Sequence, residues 1–79
     1  MGQGYVTKVL KLGGLQEPDD KRDIEENLPL IDGVDRAIVD LQAKEVTLTF
    51  DSSVITLGYL AETLSSLGYS IQGDKQPLG

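Results

Sequence analysis

The chain has 79 residues, 39% of them hydrophobic, with a formal net charge of −6 and neither cysteine nor histidine. That is one small domain, which buries only ~60% of the surface its unfolded form exposes and so needs an efficient core. Disulfides, thiolate metal sites and Cys/His catalysis are excluded, and the acidity argues against a surface for nucleic-acid phosphates or anionic membranes.

No apolar run approaches the ~18 residues of a transmembrane helix. The start, Met1 to Val6, lacks the basic and hydrophobic regions of a signal peptide and has Val6 where a myristoylation site needs Ser or Thr. A cytoplasmic protein is the expectation. Met1 is the only other soft metal donor, and it stands at a terminus.

Gly4 to Leu12 alternates as a strand, with Val6, Leu10 and Leu12 on one face and Tyr5, Thr7 and Val9 on the other. Lys8 interrupts the inner face, and Gly13-Gly14 ends the strand. Pro18 suits the first turn of a helix. Glu17, Asp19, Asp20 and Asp23 complement the positive end of its dipole and can cap free N–H groups. Ile24, Leu28 and Ile31 form the apolar stripe, and Pro29 ends the helix near Asn27 or Leu28.

Asp32-Gly33 turns the chain into a second strand, Val34 to Leu41, joined through Gln42-Ala43-Lys44 to a third, Glu45 to Phe50. Inward positions are Val34, Ala37, Val39, Leu41, Val46, Leu48 and Phe50. The three-residue step from Val34 to Ala37 predicts a bulge near Asp35-Arg36. Thr56 caps a second helix over Leu57 to Leu67, with its stripe at Leu57, Leu60, Ala61, Leu64 and Leu67; Gly58 weakens it and Gly68 stops it. Tyr69-Ser70-Ile71 is a short last strand. The domain is expected to span 1–72, with 73–79 a disordered tail or linker.

Strand, helix, strand, strand, helix, strand is the order of an α+β, ferredoxin-like βαββαβ two-layer sandwich: a four-stranded antiparallel sheet with both helices on one face. From Leu10 to Ile71 the chain resembles the heavy-metal-associated domains of copper chaperones, metal-pumping P-type ATPases and mercury-binding periplasmic proteins. The resemblance rests on Gly14, Ile24-Glu25, Gly33-Val34, Phe50-Asp51 and Gly68-Tyr69, with no gap needed from Gly14 to Asp51.

In that register Leu15 stands where the family has Met, and Glu17 and Asp20 stand where it has the two cysteines of its metal loop. Metal ligands therefore do not carry over, because soft Cu(I) selects thiolates. No cofactor is expected. If any ion binds, it is a hard cation held weakly by Glu17, Asp20 and Asp19, although no calcium-loop pattern is present. Leu15 is expected to pack beneath the loop. The resemblance also places Tyr69 near the loop, and core packing is the plainer use of its ring.

The first functional expectation is a non-enzymatic interaction or regulatory module related to metal transport. Its acidic face, Glu17, Asp19, Asp20, Asp23 and Glu26, would meet a protein partner with a basic face. Tyr5, Val9 and Ile38, with Thr47 and Thr49, form a patch on the open sheet face suited to a weak homodimer. An amino-acid-sensing regulatory domain of the same topology is an alternative. Acylphosphatases share the topology, but their phosphate cradle has no counterpart here, and enzyme activity is not expected.

Overall fold

The computed structural model describes residues 4–75. Strand β1 (Tyr5–Gly13) leads into helix α1 (Pro18–Asn27) and a 3-10 turn, Leu28–Leu30. Strands β2 (Val34–Asp40) and β3 (Glu45–Asp51) follow as a hairpin, then helix α2 (Leu57–Ser66) and strand β4 (Ser70–Lys75). All pairings are antiparallel, in the order β2-β3-β1-β4. This is the ferredoxin-like sandwich expected from the sequence.

One apolar cluster joins the inward residues of the strands to Ile24 and Leu28 on one side and Leu60 and Leu64 on the other. Both helices thus cover a single face of the sheet. Among the described residues no charged or amide side chain is buried. The one side-chain polar atom in the core cluster is the Tyr69 hydroxyl, which has a hydrogen-bond acceptor in Asp20 to offset its desolvation.

Alternation set the inward residues well: Val34, Ala37, Val39, Val46, Leu48 and Phe50 are buried. The register of β2 shifts between Val34 and Arg36, which leaves Asp35 as the extra residue of a bulge. At α2 the Thr56 hydroxyl accepts the Tyr59 N–H at 3.2 Å. The other end closes as a Schellman motif: Gly68 at φ +104 donates to the Ser65 carbonyl, and Tyr69 donates to that of Leu64.

Three details depart from the sequence reading. Strand β4 continues to Lys75, so residues 73–75 pair with β1 and are no tail. Gly73 breaks the apolar pattern, but at φ +148 it belongs to a bulge that leaves Gln72 unpaired between Lys11↔Gly73 and Leu12↔Ile71, after which pairing resumes. Residues 76–79 lie outside the described residues. Leu41 falls in the hairpin loop and is half-buried, because Asp40 turns the chain by accepting the Gln42 and Ala43 N–H groups. Leu67 caps α2 and is 43% exposed, past the last turn that faces the core, while Ile55, absent from the expected stripe, is buried.

Candidate functional site: the loop between β1 and α1

Residues 14–17 leave the end of β1 and enter α1 with Glu17 as N-cap and Pro18 at the first helical position. Leu15 is fully buried beneath the loop. Its carbonyl accepts the Lys44 ammonium at 2.7 Å, so the β2–β3 hairpin tip holds the loop from the side. The Leu12 N–H donates to the Lys44 carbonyl at 2.8 Å and fixes that tip against β1.

Asp20 closes the loop. Its Oδ2 accepts the backbone N–H groups of Gln16 and Glu17, each at 3.0 Å. Its Oδ1 accepts the Tyr69 hydroxyl at 3.2 Å. One carboxylate thus ties together the loop, the first turn of α1 and the start of β4. The Gln16 N–H, followed by that of Glu17 and the Tyr69 hydroxyl, holds the Asp20 carboxyl below the usual carboxylate range. Burial, then the charge of Asp20, pushes the Tyr69 phenol up. The ring of Tyr69 is buried as core packing predicts, and its hydroxyl adds a bond that core packing alone does not foresee.

Because the native Asp20 pKa is lowered, the loop's stabilisation is complete above the ordinary carboxylate pKa and is lost as pH falls through the lowered native value. We expect the Gln16 and Glu17 amide shifts to titrate together, with a midpoint below that of an exposed aspartate. A shared midpoint at the ordinary value would mean that Asp20 does not hold them.

The chain offers this loop no sulfur, and the carboxylate at the second cysteine position is engaged by backbone and phenol donors. The residues present do not fit a soft ion. They also make a poor hard-cation site, since the Lys44 ammonium already lies against the loop. Among the described residues no group of three or more metal-ligating side chains converges.

The heavy-metal-associated domain family matches the chain over residues 21–70. The chain belongs to the heavy-metal-associated domain family. Such domains are binding and transfer modules, not enzymes. The match begins just after the loop, where Glu17 and Asp20 depart from the family pattern.

Solved structures extend the likeness over more of the chain. A structure of the CopZ metallochaperone is 26% identical with a TM-score of 0.80, the alignment covering 84% of this chain and 98% of that one. A Bacillus anthracis str. Ames protein named for copper-ion binding is 28% identical at TM-score 0.80, over 86% of this chain and 96% of that one. The N-terminal domain of the zinc(II) ATPase ZiaA is 25% identical at TM-score 0.74, over 95% of this chain and 79% of that one. No curated protein sequence matches the chain.

On the heavy-metal-associated scaffold the expected acidic face divides in two. Glu17, Asp19, Asp23 and Glu26 are exposed, whereas Asp20 is turned into the loop. Lys21 and Glu25 are also engaged. Lys21 donates to the Glu25 carboxylate at 2.6 Å and to the Val39 carbonyl at 3.2 Å, and Glu25 accepts the Val39 N–H at 2.8 Å. The Lys21 ammonium, then the Val39 N–H, lowers the Glu25 pKa. The pair caps both free backbone groups of Val39 on edge strand β2, where another chain could otherwise add a strand. Its i,i+4 spacing was legible in the sequence; its target on β2 was not.

On the open sheet face Val9 and Ile38 flank Thr47 in one cross-strand row. Tyr5 stands apart opposite Asp51, and the Thr7–Thr49 hydroxyl pair lies between. No helix of the described residues is long and apolar enough to cross a membrane.

Proposed function

We propose that this heavy-metal-associated domain is a cytoplasmic protein-interaction module of metal-transport systems that docks without carrying a soft ion in its loop. The observation that carries the reading is Asp20: a carboxylate bonded to two loop N–H groups and a phenol holds the loop closed from within. The relatives named for a metallochaperone and a metal ATPase supply the metal-transport setting.

Docking uses the exposed side of α1. Glu17, Asp19, Asp23 and Glu26 project there against one unpaired cation on that helix, Arg22, since Lys21 is paired with Glu25. A basic partner face is drawn to this side by long-range attraction, which speeds encounter and rejects acidic surfaces.

The test is binding to a panel of metal-ATPase amino-terminal domains chosen for basic surfaces. Asp19→Lys with Asp23→Lys should weaken a binding partner by about tenfold or more, and rising salt should weaken the natural chain in parallel. Affinity indifferent to both changes would refute the acidic face. Binding that appears only after Cu(I) is added would refute metal independence.

A further inference from the structure

The far end of α1 from the loop carries a feature that the acidic face does not use. Among the described residues, three of the six exposed large apolar side chains, Leu30 at 78%, Val54 at 58% and Tyr59 at 54%, converge on one open groove of ≈ 730 Å³. Ile31 and Ile55 also line it, and both pack in or against the core. Asp32 is part of the lining too, and its carboxylate has no hydrogen bond or ion pair among the described residues. Gly33 keeps the groove's two sides close: a Cβ there would come within 2.9 Å of Val54 and 3.0 Å of Ile55.

The groove continues the acidic side of α1. Asp19, Asp23 and Glu26 recur at i, i+4 and i+7 and so share one side of the helix. Leu30 follows four residues after Glu26, through the 3-10 turn. Together they span about 16 Å, or three helical turns.

We propose that this surface receives a basic amphipathic helix of a partner protein, with an apolar anchor in the groove and Lys or Arg residues along Asp19, Asp23 and Glu26. A helix laid alongside meets the acids at i, i+4 and i+7 and sets its anchor one turn further on, the spacing of helix-in-groove recognition. Phosphate-bearing partners are repelled by the same acids. The helices of a second copy do not supply the charges: α2 has no Lys or Arg, and α1 has only Arg22 and the Lys21 that is paired with Glu25. The inference rests on the acidic-face reading and adds the partner's form and its anchor.

The test titrates isotope-labelled full chain with three helix-constrained peptides of about 14 residues, constrained because free peptides of that length are marginally helical. One carries Lys at i, i+4 and i+7 and Leu at i+11; the second has Ser for Leu; the third has Glu for Lys. The first should give saturable amide shifts along α1 and at Ile31 to Gly33 and Ile55 to Tyr59. Either peptide change should weaken binding at least tenfold, as should Leu30→Asp in the protein, at a side chain exposed enough to spare the fold.

Shifts along α1 alone, without anchor dependence, overturn the groove and leave the acidic face standing. Groove shifts without charge dependence overturn both. No saturable shift up to millimolar peptide overturns the proposal. So does the same shift pattern on concentrating the chain alone, which assigns the groove to a second copy.

Discussion

Cysteine at both Glu17 and Asp20 should turn this chain from one that retains no Cu(I) into one that retains about one ion per chain. The two positions are the N-cap and third residue of α1, so their side chains lie one turn apart at the helix's positive end. That end favours thiolate over thiol. Leu15 and the Lys44 bond beneath the loop are untouched by the change. Asp20→Cys does remove the acceptor for Gln16, Glu17 and Tyr69, so the metal-free variant should show faster exchange of the two loop amides, slowed again by Cu(I). Competition with a chromogenic Cu(I) chelator under reducing conditions measures the gain. A folded double variant that leaves all Cu(I) with the chelator would mean that the loop is not the family's metal loop in disguise.

Leu15→Ala should cost about 3 kcal/mol, the usual scale for a fully buried leucine whose cavity cannot collapse. In a domain this small that lowers the melting temperature by about 15 °C. The site has little room to relax, because the Leu15 carbonyl is held by Lys44 and the next two residues donate their N–H groups to Asp20. Leu15→Met, which conserves volume and restores the residue the family resemblance implies, should cost less than about 1.5 kcal/mol. Urea and thermal unfolding measure both. A loss below 1 kcal/mol for the alanine variant would show that Leu15 does not anchor the loop.

The layout was legible because Ala37, Val39, Val46, Leu48 and Phe50 declare themselves inward by alternation, and because Pro29, Gly33 and Gly68 punctuate the chain where the backbone turns. Even the bulge at Asp35 followed from one three-residue step between apolar positions. The continuation of β4 was hidden, because a bulge at Gln72 and Gly73 erases the two-residue period on which such a reading depends.

The site was legible by subtraction. Glu17 and Asp20 could be placed at the family's cysteine positions, and helix capping was their plainest use. Which acids cap depended on side-chain direction: Asp20 reaches back to Gln16 and Glu17 in a capping box with the N-cap Glu17, while Asp19, Asp23 and Glu26 face solvent. Tyr69 joins Asp20 across 49 residues, and Lys44 reaches Leu15 across 29, distances over which no local pattern speaks. The apolar groove was hidden for the same reason. Leu30 comes from the 3-10 turn after α1 and Val54 and Tyr59 from the entry to α2, and each alone is an ordinary exposed residue.

The most direct measurement follows the backbone amides of the natural-sequence chain while Cu(I) is added anaerobically under reducing conditions. With the Asp20 carboxylate occupying the loop's donors, the Gln16, Glu17 and Asp20 amides should stay in place past one equivalent, and no copper should remain after gel filtration against a competing chelator. Stoichiometric movement of those three amides, with copper retained, would contradict the account.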